Sequence, residues 1–365
     1  MPTTLTVRSR ELNELDIGEF LRALRSAGDV RLTLDVPLRL DAVGMAMVVA
    51  TASRGRGKLT VDFASRSPSS SVMASVHESL LAPLIWGSSA PGPRELSRRA
   101  MLAEEPIVID PANRTFCAHT ARLALSGRLA FQADLERLCR ASRIVVPGSV
   151  YGAISTIAFE TASNAEEYGA FEADDSAPPT ALRYLAARVH EGTPVAVSAS
   201  ASRYVDAYVS AGHSKPGRWL ELLIVDAGVG MAYPSFHVMA VERGWPNHNV
   251  FSEPLGEEQA RLNVILNSRE STKGRWGRII NSETSKGEGT RFVMLRLSAV
   301  RGYAALHTGR SKAEWWYARP ERTPRDVASL PPYNVLDESQ PFFGGTIWHV
   351  LVPLDTQLRL DLGPT

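Results

Sequence analysis

The chain has 365 residues, 44% hydrophobic and 22% charged, an ordinary composition for a folded protein of about two domains. Its 40 lysines and arginines against 39 acids leave a net charge of +1, which excludes a global field drawing it onto nucleic acid or membrane. No run approaches the roughly 20 apolar residues of a membrane span, Met1-Pro2-Thr3-Thr4 opens no apolar leader, and Cys117 and Cys139 lack disulfide-framework or zinc spacing. A cytoplasmic protein with two plain, buried or half-buried thiols is expected.

In chain order, Gly18 to Arg25 is predicted as a short amphipathic helix. Val30 to Val36 alternates apolar and polar residues, a strand pattern. Asp41-Ala42-Val43-Gly44-Met45 opens a helix to about Ser53, and Lys58 to Phe63 is a second strand. Ser65 to Ser71 and Pro91-Gly92-Pro93 are breaks. Ile107 to Pro111 is expected to be the last strand of this N-terminal unit. His77-Glu78-Ser79-Leu80 is weighed as a phospho-accepting box and set aside as a surface or packing histidine.

Arg128 to Arg143 is a predicted helix with apolar Leu129, Leu135 and Leu138. The next helix carries Phe159-Glu160-Thr161-Ala162-Ser163-Asn164-Ala165, and positions four apart share a helix face, so Glu160 and Asn164 point into one space. Pro178-Pro179 breaks the chain after it. Thr193 to Ser202 and Trp219 to Val225 are predicted as paired strands joined through Gly212 to Gly217. The second runs into Val225-Asp226-Ala227-Gly228-Val229-Gly230-Met231, an acid at a strand end followed by glycines that permit close backbone approach. Phe251 to Lys286 is polar with few clear periods. Val293 to Val300 is then predicted as helix, and Arg301 to His307 as a turn into a strand. Glu314-Trp315-Trp316-Tyr317 through Arg322 is expected to pack as an insertion or meet a partner. Gly344-Gly345-Thr346 leads into a final strand, Ile347 to Leu354.

Taken together, these segments resemble the ATP-binding domain shared by gyrase, the ninety-kilodalton heat-shock chaperone, histidine kinases and MutL, the GHKL superfamily. The resemblance rests on Glu160-x-x-x-Asn164-Ala165, Asp226-x-Gly228-x-Gly230, Thr284-Ser285-Lys286-Gly287-Glu288-Gly289-Thr290 and Gly344-Gly345-Thr346, in the family's order. It implies an α+β fold: a C-terminal two-layer α/β sandwich of the Bergerat ATPase type over residues 113–365, with a lid at about 251–286. The first 112 residues resemble a STAS domain, from strand, helix opening at Asp41 and second strand. Where regulated members carry a phosphorylatable hydroxyl, this chain has Ala42 and Val43.

The resemblance implies ATP and Mg2+ as cofactors. Asp226 would accept a hydrogen bond from the adenine amine, with Thr346 supporting that edge through a water and Gly228 and Gly230 giving close approach. Asn164 would offer its oxygen to Mg2+. Glu160 would orient or deprotonate the attacking water. Gly287, Gly289 and Thr290 would meet the phosphates at a helix start, with Lys286 neutralising charge. Arg291 departs from the family pattern, and Gly274-Arg275-Trp276-Gly277 is an alternative phosphate loop. Three outcomes stay open: an ATPase switch with a protein partner, homodimer included; an anti-sigma-factor-like Ser/Thr protein kinase; or an ATP sensor without turnover. The ATPase module stands last, which implies a small switch in preference to a clamp with a transducer.

Overall fold

The structure is a computed structural model that describes residues 3–7, 11–12, 30–34, 39–54, 59–63, 80, 94–96, 107–168, 182–228 (less 196, 214 and 215), 230, 289–318 (less 310) and 343–354. The described chain is helices plus sheets, an α+β protein. Strands β1 (Thr3–Val7), β3 (Val30–Leu34), β5 (Leu59–Phe63) and β6 (Arg94–Leu96) form a four-stranded sheet, parallel except for β6. A two-residue pair, β2 (Glu11–Leu12) with β4 (Arg39–Leu40), sits beside it in sequence. The expected helix at Gly18 to Arg25, the His77 segment and the lid at 251–286 lie outside the described residues.

Helix α1 (Ala42–Arg54) begins where Asp41 caps it: the carboxylate Oδ1 accepts from the Val43 backbone N–H at 2.8 Å. Ala42, Val43, Met45, Ala46, Met47, Val49 and Ala50 are all buried, so the helix is apolar on more than one face. A helix of that kind must be covered on more than one side. It packs on β6 and also on two strands of a second sheet, β10 (Arg218–Asp226) and β13 (Phe343–Pro353).

That second sheet has seven strands, entirely antiparallel, in the order β12-β11-β13-β10-β9-β8-β7. They are β7 (Ile107–Asp110), β8 (Thr115–His119), β9 (Arg183–Glu191), β10 (Arg218–Asp226), β11 (Tyr303–Gly309), β12 (Ser311–Trp316) and β13 (Phe343–Pro353). Ile107–Asp110 therefore closes the edge of this sheet; it does not end the N-terminal unit as expected. The expectation of a strand at Thr193 to Ser202 is also corrected. The partner of β10 is β9, and Ser198 instead caps helix α4 (Ala199–Ser210), its Oγ accepting from the Ala201 N–H at 3.2 Å. The Ala-Ala-Arg interior of β9 has helical propensity, which tertiary pairing overrides.

One face of the sheet carries helices α2 (Arg128–Ala141), α3 (Gly148–Tyr168) and α5 (Gly289–Ala299) over a core that includes Phe116, Leu185, Leu222, Ile224, Trp315 and Trp348. Trp315 stacks on Trp348 at 5.7 Å, so the Trp-rich segment is a strand of the sheet, where an insertion was expected. The opposite face packs α4 against Trp219, Tyr303 and Leu351. Alternation along β10 and β13 turns Leu223, Val225 and Ile347, all buried, to that same side, where α1 lies. With both faces covered, the described unit has a third layer beyond the two that the resemblance implied.

Candidate functional site

The end of β10 carries Asp226, which is 5% exposed. Its Oδ1 accepts from the Gly228 N–H at 3.0 Å and from the Thr346 N–H at 3.1 Å. The carboxylate thus ties the turn after β10 to the start of the buried run of β13. Two glycines make this possible. Gly345 adopts φ +120°, and a Cβ there would lie 2.2 Å from the Asp226 carbonyl oxygen. Gly230 adopts φ +84°, and its Cβ would meet Thr308 Oγ1 at 3.0 Å and the Gly345 carbonyl at 3.3 Å. Protein neighbours, before any ligand, require glycine at both positions.

Asp226 and Thr346 alternate onto the face that carries α3, the same face as Leu222 and Ile224. On α3, Glu160 and Asn164 are half-buried and one turn apart, as expected. Glu166, two residues beyond Asn164, reaches the sheet: its Oε1 lies 3.0 Å from Arg183 Nε and accepts a hydrogen bond from the Thr120 hydroxyl. Arg183 stands directly across the strands from Asp226. At the other end, Glu160 Oε1 accepts from Arg128 at 2.5 Å, and Arg128 lies over the Phe159 ring at 5.5 Å. Glu160 Oε2 lies 2.8 Å from where a Cβ on Gly289 would be. Gly289 is the first residue of α5, which thereby starts four residues earlier than Val293, its expected beginning. Glycine is a poor helix former; here it lets α5 approach α3 closely at Glu160.

On α3, Glu160 approaches Gly289 and Glu166 reaches Arg183; Arg183 is in turn the cross-strand partner of Asp226, whose carboxylate accepts from Thr346. Thr290 is half-buried in the first turn of α5, and Arg291 beside it is exposed. Lys286 and Gly287, like the alternative loop at Gly274 to Gly277, lie outside the described residues. Sequence reasoning missed Arg128, Glu166 and Arg183. Arg183 had a signal: it precedes Leu185, Ala187 and Val189 at period two, a charge in line with an apolar face.

Burial shifts several titratable groups around the sheet. His119, whose Nδ1 accepts from the Ala121 N–H at 3.2 Å, is pushed down to about 4 by burial and by the cations Arg183 and Arg122. Burial pushes the Cys139 thiol up to about 12, with Glu136 adding to it, and raises Cys117 further, so neither thiol is a nucleophile. Among the described residues, no group of three His, Cys, Asp or Glu side chains could hold a metal ion. A magnesium bound mainly by phosphates needs only one or two protein oxygens, and the Asn164 carboxamide fits that demand.

A second polar cluster lies on the opposite face of the sheet. Glu221, wholly buried, accepts from His190 at 2.9 Å and His349 at 2.8 Å, and His349 Nδ1 is 3.3 Å from Ser198 Oγ. Ser198, His349 and Glu221 have the order of a nucleophile–base–acid relay. All three are inaccessible, and the serine oxygen caps α4, so the cluster is a structural tie between β9, β10, β13 and that helix. Burial opposes the Glu221 charge, but the hydrogen bonds from His190 and His349 outweigh it and hold the carboxyl well below its usual range.

Neither a protein-family model, nor a curated protein, nor a solved structure matches this chain. No helix among the described residues is long and apolar enough to cross a membrane.

Proposed function

We propose that the chain binds ATP with Mg2+ at the junction of β10, β13 and α3, through a GHKL-type site, and acts as a nucleotide-driven switch. One observation carries this reading: Asp226 is a buried carboxylate oriented by two backbone N–H groups, at the sheet end beneath the helix that presents Glu160 and Asn164. A carboxylate so oriented is an acceptor suited to the adenine amine and unsuited to a guanine carbonyl. The nucleotide would supply the phosphoryl group and, with its metal, the charge neutralisation at the phosphates. Asn164 would give an oxygen to that metal, and the start of α5 would face the phosphates.

Glu160 is the residue to orient or deprotonate an attacking oxygen. Its Oε1 accepts from Arg128 at 2.5 Å, and Oε2 is the oxygen left to accept a proton. Because the ion pair with Arg128 restrains the Glu160 carboxylate, a second reading is a nucleotide sensor that binds ATP with little hydrolysis. An anti-sigma-factor-like protein kinase differs only in the acceptor hydroxyl. The N-terminal unit, STAS-like in its order of elements, would read the nucleotide state. Its helix α1 packs on β10 and β13, the strands that carry Asp226 and Thr346.

Calorimetry with ATP and Mg2+ on the full chain tests the binding. Asp226→Asn retains an oxygen for the two backbone N–H groups and removes the acceptor charge, so the variant should fold and bind ATP at least tenfold more weakly. Equal affinity in the two proteins refutes the adenine assignment. Labelled ATP, given alone and with lysate, separates the outcomes: free phosphate for the ATPase, phosphoprotein for the kinase, neither for the sensor.

A further inference from the structure

Arg183 is 4% exposed, on the first residue of β9. Burying a guanidinium is costly unless its donors are used. Its one acidic contact among the described residues, Glu166 Oε1 at 3.0 Å from Nε, is an ion pair without hydrogen-bond geometry, and both Nε and NH1 lack a hydrogen-bond partner. Glu166 Oε1 is shared with the Thr120 hydroxyl. Buried donors left over in this way call for an explanation, a bound group among them.

The position supplies the explanation. Arg183 is the cross-strand partner of Asp226, and the neighbouring backbone is closed by the Ala227 N–H donating to the Leu182 carbonyl at 2.8 Å. Directly opposed residues have their Cβ atoms about 5 Å apart on the same face. Leu185, Ala187 and Val189 of β9 share the core beneath α3 with Leu222 and Ile224 of β10, so Arg183 and Asp226 emerge on that one face. A guanidinium donor and a carboxylate acceptor therefore stand side by side at the proposed base site. Adenine presents the complement: an N6 amine flanked by acceptor nitrogens, N7 on one side and N1 on the other. Guanine presents an oxygen acceptor where adenine has the amine, which the carboxylate repels.

We propose that Arg183 is a second base-reading residue, its NH1 donating to a ring nitrogen adjacent to the amine that Asp226 accepts. The proposal rests on the nucleotide reading above and extends it from one acceptor to a matched acceptor–donor pair. Glu166 is the positioning residue: it anchors Nε from α3, two residues beyond Asn164, and so links base recognition to the helix that would hold the metal.

The test is calorimetric, with the full chain and three ligands: a non-hydrolysable ATP analogue and its 1-deaza and 7-deaza forms, in which the N1 or N7 acceptor is replaced by C–H. The parent protein should lose roughly tenfold or more in affinity on one of the deaza forms, and which one identifies the ring nitrogen. Arg183→Met should bind the ATP analogue more weakly and should no longer distinguish it from that deaza form. A merely structural arginine would weaken all three ligands alike. Equal binding of all three by the parent protein overturns the proposal, and needs no variant to fold. Discrimination that persists in a folded Arg183→Met protein overturns it too. If the parent binds none of the three ligands, the nucleotide reading itself fails and this proposal falls with it. If it binds them but without discrimination, only Arg183's role fails.

Discussion

Replacing Gly345 with alanine should be among the most damaging single changes in the seven-stranded sheet. The added Cβ would sit 2.2 Å from the Asp226 carbonyl oxygen, 3.0 Å from its carbon and 3.1 Å from Ala227 Cα. All three are backbone atoms at the end of a strand paired on both sides, with Ala227 held by its N–H to the Leu182 carbonyl, so none can rotate away. The φ of +120° adds strain for any residue with a Cβ. The backbone conformation costs on the order of 1 kcal/mol, and overpacking about 1–3 kcal/mol. Separation of the strands would also break the Thr346 N–H bond to the Asp226 carboxylate, worth about 1.5–3 kcal/mol as a charge-assisted bond. The total is roughly 4 kcal/mol or more, a large share of a stability on the order of 5–15 kcal/mol. For a unit of this size that lowers the melting temperature by about 10 °C. Gly152→Ala is the control. Gly152 lies within α3, is exposed, and has nothing within 4 Å of a Cβ, so alanine there should stabilise by about 0.5–1 kcal/mol. Scanning calorimetry or thermal circular dichroism on the three proteins reads both effects. A Gly345→Ala protein that melts within about 2 °C of its parent would refute the close-approach argument.

Glu221→Ala removes the shared acceptor of buried His190 and His349 and should cost about 3–5 kcal/mol, read as a lowered urea midpoint; a change below about 1 kcal/mol would mean the cluster is not a tie. Stability should fall with acid. His119 is held down to about 4, so the folded state binds fewer protons than the unfolded one, and its contribution, full above 6.5, is lost as the pH falls towards 4. His307, pushed well below its ordinary value by burial and then by Lys312 and His349, works in the same direction, and the depressed Glu221 adds its loss lower still. Melting temperatures from pH 7.5 to 4.5 should decline, and less so in His119→Gln; a flat profile contradicts the assignment. Gly289→Ala places a methyl against Glu160 Oε2, the movable end of a side chain, so it should cost under about 1 kcal/mol in stability. By displacing Glu160 it should still reduce any ATP turnover by about tenfold or more, as loss of general-base help does; an unchanged rate would separate Glu160 from catalysis.

Local chemistry was legible in the sequence. The helix opening at Asp41, the helix bearing Glu160 and Asn164 and the apolar run into Asp226 each follow from propensity, spacing or backbone freedom, while the final strand begins at Phe343 and takes in the Gly-Gly-Thr that was read as leading into it. The partners were not legible, because pairing in a sheet depends on residues far apart in the chain. No strand was read over β9, whose Ala-Ala-Arg interior is weak in strand propensity, and its place between β8 and β10 comes from pairing. Ile107–Asp110 belongs to the second sheet because Thr115–His119 pairs with it. Gly289 breaks a helical pattern in sequence yet begins α5, where the missing Cβ leaves room for the Glu160 carboxylate. Arg183 and Asp226 are separated by a helix and a turn, and only antiparallel register sets them side by side. Composition and period thus decided which segments fold as helix or strand in most of the chain, while the tertiary pairing decided which charges face one another, through contacts whose energy no local stretch contains.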